Sequence, residues 1–240
     1  MITRYAWYGF IALVALIVTG AELDRATRRA PHLVPLVPGI FRSFAQMHET
    51  VATVRKAPPD VALATARTLV ERRPVPAEHL TLLAIAEERA GHREKSGYLI
   101  QAAARRGWRE PLAQEAMFNI ALMARDPAES ARRLVAIMST QSETEALPEL
   151  VARQLATPAG RQAMAAQLAT GGRWTGQFLP ALSAVDRTSA IDMLNRAETL
   201  GARLDCRALA MLQAEFDRSA TSGTKPVIPR GHCTGPITTG

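Results

Sequence analysis

The chain has 240 residues, 48% of them apolar, which is enough for one or two domains with a real core. It carries 29 basic and 22 acidic residues for a net charge of +7. The basic residues, mostly Arg, are mixed with Glu and Asp, and the aromatics are few, so basic charge without a stacking motif does not make a nucleic-acid binder.

The first element is "WYGFIALVALIVTG", starting at Trp7. From Tyr5 to Ala21 no residue is charged, a run at the short end of what spans a bilayer as a helix. Tyr5, Trp7 and Tyr8 stand at its start, where amphipathic rings suit the headgroup level. The segment reads as a transmembrane anchor over residues 1–24. A cleaved signal peptide is the rival, since "VTGAE" offers small residues for a peptidase; the apolar core is long for that role. Retention of residues 1–21 is the expectation. Orientation is contested. Arg25, Arg28 and Arg29 after the span, against Arg4 before it, lean towards a cytoplasmic body. The export-like "VTGA" leans towards a periplasmic one, which is slightly preferred.

Residues 25–40 include "APHLVPLVPGI", with three Pro and one Gly, and read as a linker. Helical patterning runs from about Phe41 to Lys56. "APPD" breaks it, with Asp60 as the expected N-cap of a helix reaching Arg73. "AEHLTLLAIAEERAG" is an amphipathic helix ending at Gly91, a residue suited to the position just past a helix. "REKSGYLIQAAARRG" follows, then "EPLAQEAMFNIALMARD" and "PAESARRLVAIMST" repeat the pair. Strand alternation is absent, and helices this close in sequence become antiparallel neighbours.

The pairs repeat at 34 residues. Ala62, Ser96 and Ser130 are all small; Ala66, Ile100 and Leu134 share a register, as do Leu69, Ala103 and Ile137. Leu83 aligns with Met117, Ala84 with Phe118 and Pro74 with Trp108. This resembles the tetratricopeptide repeat, a helix–turn–helix unit of 34 residues. Residues 77–110 are the best copy, with Leu80, Leu83, Ala84, Gly91 and Ser96 at the motif positions; 43–76 and 111–144 flank it. Glu87 stands where the family usually has Tyr, and Trp108 where it usually has Pro. The fold class implied is all-α: antiparallel helix pairs stacked as a tetratricopeptide-like superhelix over residues 41–144, preceded by one transmembrane helix. Further helical pairs close it over 145–220, with Thr157 and Pro158 as N-cap and first helical residue. Residues 221–240, polar and rich in Gly, Pro and Thr, read as a disordered tail.

Nucleotide-loop, zinc-protease and nucleophile-elbow motifs are absent, and the five His are scattered. No catalytic, cofactor or metal residue is nominated. Trp174 faces a sugar-stacking reading, but Phe178 four residues on makes an inward-packing pair the simpler one. Cys206 and Cys233 form no CxxC pair. The simplest reading is a packed thiol at Cys206 and a free thiol at Cys233 in the tail; an oxidising compartment leaves a bridge between them open.

The resemblance implies a non-enzymatic, membrane-anchored scaffold that binds a protein or peptide in the bacterial envelope. In the family the first helix of each pair lines the concave groove, which here points to Thr81, Ile85 and Glu88, then Glu115, Asn119 and Leu122. The family's basic clamp for a C-terminal carboxylate is missing, so a basic or apolar ligand fits better. The stretches "WREPLAQ" and "RWTGQFLPAL" are similar to bacterial envelope proteins of this type, some tied to polysaccharide export. That gives the alternative: a scaffold or glycan binder in polysaccharide assembly or export. No cofactor is expected, nor a nucleic-acid partner; the membrane is met through residues 5–21.

Overall fold

The computed structural model describes residues 2–140 and 145–219, with 227, 228 and 233. Among these residues the architecture is all-α. The elements are α1 (Ile2–Ala26), two short 3₁₀ turns (Pro31–Leu36, Gly39–Phe41), α2 (Phe44–Lys56), α3 (Pro59–Arg72), α4 (Ala77–Arg89) and α5 (Arg93–Arg106). There follow α6 (Pro111–Met123), α7 (Pro127–Thr140), α8 (Leu147–Leu155), α9 (Pro158–Thr170), α10 (Thr175–Ala181), a 3₁₀ turn (Leu182–Ala184), α11 (Arg187–Thr199) and α12 (Cys206–Ser219). The chain divides into two compact units, Met1–Gly107 and Trp108–Gly240. The boundary falls inside the expected repeat array, because α6 and α7 share their core with the helices that follow.

In the first unit α2 packs on α3, α3 on α4 and α4 on α5. Connections of two to four residues leave no other geometry than neighbours running in opposite directions. The 34-residue register is visible in backbone and burial alike. α3, α5 and α7 start at Pro59, Arg93 and Pro127, each 34 after the last. Ala66, Ile100 and Leu134 are buried, as are Leu69, Ala103 and Ile137; Ala62 and Ser130 are fully buried and Ser96 partly so. Small residues sit where two helix backbones come closest, and larger ones fill the space beside them.

The turns repeat too. After α4, Gly91 is left-handed, its N–H donates to the Glu88 carbonyl, and the His92 N–H donates to Glu87. After α6 the same pair of bonds forms around Arg125, 34 residues on, with a φ of 57°. A residue with a Cβ is disfavoured there, so the motif is conserved in backbone and lost in sequence. At the other helix ends, Glu110, Thr157 and Asp186 cap α6, α9 and α11 with side-chain oxygens, Thr157 as its sequence implies. Asp60 lies in the first turn of α3 instead, because Pro59 takes the first helical position and Pro58 the cap.

The second unit has one large apolar core, centred on Phe118, Leu134, Leu155, Met164, Phe178 and Met193. Ile228 belongs to this core, and its N–H donates to the Gln213 side chain. The segment expected as a disordered tail is therefore pinned at Ile228 and at Cys233; the rest of 221–240 lies outside the described residues, as do 141–144 of the third repeat copy.

Ala103 tests the register. Replacing it by Leu puts extra methyl groups at a fully buried helix crossing, at a cost of about 1–3 kcal/mol. A fall in melting temperature is expected; an unchanged one rejects the register.

Candidate functional site

The junction between α1 and the body is built from one helical face. Tyr5 to Thr19 is exposed on every side. The last turns of α1 differ: Gly20 and Asp24 are buried, with Leu23 partly so, and Thr27 just beyond is buried too. That spacing is one stripe of a helix. Gly20 meets the Phe41 ring so closely that a Cβ there would lie 2.5 Å from it. Asp24 accepts the N–H groups of Ser43 (3.1 Å), Phe44 (2.9 Å) and Ala45 (2.9 Å). Ser43 stands at the N-cap of α2 but makes no side-chain cap bond. The cap is delivered from α1 instead, where a carboxylate also suits the positive end of the helix dipole. The stretch expected as a linker is thus folded: its 3₁₀ turns pack on α1 and α2, and Val37 is buried. α1 is long and apolar enough to cross a membrane by length and composition, a test that a signal sequence also passes.

The residues nominated for a groove do not behave alike. In the first unit, Thr81 is 2% exposed and offers no surface to a partner. Ile85 is partly buried and packs against the core; Glu88 is exposed, 3.6 Å from Arg93. In the second, Glu115 is partly exposed. Leu122 packs against the core and also lines a surface cavity with Arg125, Arg153 and Gln154. Asn119 is half-buried with its side-chain oxygen shut in and unpaired among the described residues. The spacing i, i+4, i+7 puts each trio on one helical face, but the register alone does not say which of those positions the neighbouring helix covers.

A second buried acid in the first unit is Glu87, 4% exposed. Arg67 of α3 donates to it at 3.0 Å, and His92 Nδ1 donates at 2.5 Å. Burial works to raise this carboxyl, but the two hydrogen bonds and their charges outweigh it and hold it below its ordinary value. The result is an ionic tie between the successive helices α3 and α4. Nearby, His79 is buried, its Nδ1 donating to the Arg73 carbonyl at 2.8 Å and its Nε2 unpaired among the described residues. Burial pushes this imidazole below 6.5, because a second proton would be charged and unsolvated.

Cys206 and Cys233 are joined by a disulfide, so neither the packed thiol nor the free tail thiol exists. Trp174 is 6% exposed, its ring edge-on to Phe178 at 5.7 Å and its N–H bonded to Gly171, so it is a core residue. Trp108 has an exposed ring at the rim of a cavity of about 550 Å³ lined also by Ser139, Thr140, Arg173 and Gln177. Sequence reasoning missed Trp108 as a surface aromatic, having aligned it with a structural Pro. Among the described residues no three His, Cys, Asp or Glu side chains converge as metal ligands. Comparison with protein-family models, curated proteins and solved structures finds no match.

Both perturbed groups give stability that is present above their unfolded values and lost as pH falls. His79 contributes a loss below about pH 6.5, and Glu87 a further loss below about pH 4.5. Glu87→Gln should lower stability at neutral pH by about 1–3 kcal/mol, from a weakened charged hydrogen-bond pair, and flatten the lower limb. Urea midpoints measured from pH 8 to 3 check this. An acid limb as steep in the variant as in the wild type rules the tie out.

Proposed function

We propose that the chain is a non-enzymatic, single-pass scaffold of the bacterial envelope whose body of tetratricopeptide-like helix pairs binds a protein or peptide. The observation that carries this reading is the two-part character of α1, bare and apolar for most of its length and then packed onto the body through Gly20 and Asp24. A cleaved leader has no need of a matched socket in the mature domain. Cleavage after Gly20 would also remove the glycine that Phe41 packs against.

The body belongs on the oxidising, periplasmic side of the inner membrane. Disulfides persist in such compartments and are rare in reducing ones, and Cys206–Cys233 closes 27 residues of chain. The three arginines after the span weigh the other way by loop charge. Arg28, however, has a structural role, its guanidinium lying 4.8 Å over the Phe44 ring. A second reading, glycan binding in polysaccharide assembly, is favoured by the half-exposed Trp108 ring, over which the Arg109 guanidinium lies at 4.8 Å, beside a cavity of mixed polar and apolar lining. An indole face suits a sugar ring, and Trp108→Ala with oligosaccharide titration separates it from peptide binding.

Two outcomes are expected. Whole-cell protein denatured with thiol-reactive polyethylene glycol should shift only after reduction, since both cysteines are paired; labelling without reductant overturns the periplasmic placement. The double reversal Glu88→Lys with Glu115→Lys should leave folding within about 0.5 kcal/mol, as expected for surface sites. It should slow association with the native partner and reduce its salt dependence. Unaltered capture and salt dependence remove both residues from the binding surface.

A further inference from the structure

The segment that follows α1 has a property the scaffold reading does not use. It folds beside the last apolar turn of the helix, yet leaves large apolar side chains uncovered. Ile40 is 88% exposed and Leu36 is 64% exposed. Phe41, the next residue after Ile40, has its ring on Gly20. Gly20 lies inside the uncharged run that ends at Ala21. If α1 spans a bilayer, Ile40 is therefore held at the depth where the hydrocarbon ends.

The length of the span makes the same point. Seventeen uncharged residues rise about 26 Å, against a hydrocarbon core of about 30 Å. The shortfall is met by local thinning or at either end, so the hydrocarbon boundary falls close to Ala21, beside Gly20 and the Phe41 ring packed on it. Apolar side chains at that level are covered by lipid instead of water.

The charge around them is of one sign. From residue 25 to residue 48 the chain contains no Asp or Glu, while it contains Arg25, Arg28, Arg29 and Arg42. Arg42 is occupied, donating to the Val37 carbonyl and pairing with Glu49. Arg28 lies on Phe44. Arg25, in the last turn of α1, and Arg29, in the turn just past it, are exposed; Arg25 has a long 3.7 Å pairing with Glu22. Asp24, the nearest other acid, is buried in the α2 cap.

We propose that residues 31–41, with Arg25 and Arg29, form a membrane-seated collar that binds an anionic phospholipid leaflet. Ile40, flanked by Leu36, enters the interfacial layer. Arg25 and Arg29 pair with phosphate and acidic headgroups. This is a second contact with the lipid surface, distinct from the span. Because Asp24 and Gly20 lock the collar to α2, it fixes how the first helix pairs stand on the membrane. The proposal rests on the reading that α1 is retained in a bilayer.

The test uses the full chain, oxidised, reconstituted in vesicles of phosphatidylcholine alone or with phosphatidylglycerol. An environment-sensitive fluorophore is placed on Leu13→Cys, Ile40→Cys or Tyr98→Cys; the native cysteines are bridged and do not react. Leu13 reports the span, and Tyr98, exposed on α5, reports the distal surface. Lipid-borne quencher should act strongly at 13, weakly at 98, and at 40 about twofold or more above 98, as for a side chain seated in the interface. The excess at 40 should grow with phosphatidylglycerol. Arg25→Gln with Arg29→Gln, or 1 M salt, where charges are screened within about 3 Å, should cancel that growth. Free inorganic phosphate at millimolar level should not, if lipid headgroups are the ligand. Quenching at 13 but not above background at 40 overturns the collar and leaves the anchor standing. No quenching at 13 overturns the anchor and the collar with it. Quenching at 40 that ignores lipid charge removes the arginines from the proposal and refutes the anionic-lipid specificity.

Discussion

The buried carboxylate of Asp24 ties the apolar helix α1 to the first helix pair. The first turn of any α-helix presents N–H groups with no partner inside the helix. In α2 three of the N–H groups at that end, those of Ser43, Phe44 and Ala45, are taken by one side chain some twenty residues earlier in the chain. Local capping by Ser43 would have satisfied α2 alone. Capping from α1 also determines where α1 ends, which face of it is covered, and why Gly20 must lack a side chain. A helix with an otherwise free apolar length is thereby joined to the helix pairs of the first unit. Any account in which the body swings freely on a Pro-rich tether is incompatible with this bond.

Within the first unit the second constraint is the thinness of the core. Val54, Ala62, Leu63, Ala66, Leu83 and Ala86 form a cluster half made of alanine. So little apolar bulk per pair cannot specify helix positions by shape alone. Arginine does part of that task. Arg89 donates to the carbonyls of Val54 and Ala57 at the end of α2, Arg72 to the Arg42 carbonyl, and Arg106 to that of Pro74. Arg89 meets the C-terminal end of α2, where carbonyls lack partners and the dipole is negative; Arg72 and Arg106 reach loop carbonyls. Glu87 between Arg67 and His92 is the same device with the sign reversed. In the second unit the core has large side chains, and its arginines pair with acids: Arg161 with Asp192 at 2.6 Å and Arg187 with Asp217 at 3.2 Å.

The sequence made the helices and their period legible because both depend on local spacing. Apolar residues three and four apart mark a face, and Pro and Gly mark its ends. Gly91 and Thr157 were readable for that reason. Arg125 was not, since its left-handed turn is imposed by the repeat around it against the residue's own preference. The Pro-rich stretch after α1 reads as a tether by composition, and only the long-range bond to Asp24 shows it to be folded. The tail misleads in the same way: Ile228 and Cys233 are held by Gln213 and Cys206, partners that polar composition does not reveal. The groove residues were assigned by family register, which places a residue on a helix but cannot say that Thr81 is covered.

The charge balance also changes meaning once the arginines are placed. A surplus of +7 on a small protein invites a polyanion as partner. Yet the arginines that stitch helix ends and loops are committed to carbonyls and carboxylates, and moving any of them to a ligand would leave those acceptors unpaired. A polyanion drawing on those arginines would have to compete with the fold. Arg25 and Arg29 stand outside this network, exposed at the end of the apolar helix, in a stretch from which acids are missing. The excess charge is therefore best understood as two populations. One is structural and buried in the bookkeeping of helix ends. The other is exposed: it includes Arg55, Lys95 and Arg207 on the helix pairs, and Arg25 and Arg29 at the end of the apolar run, at a level set by the Asp24 bond that fixes α1 to α2.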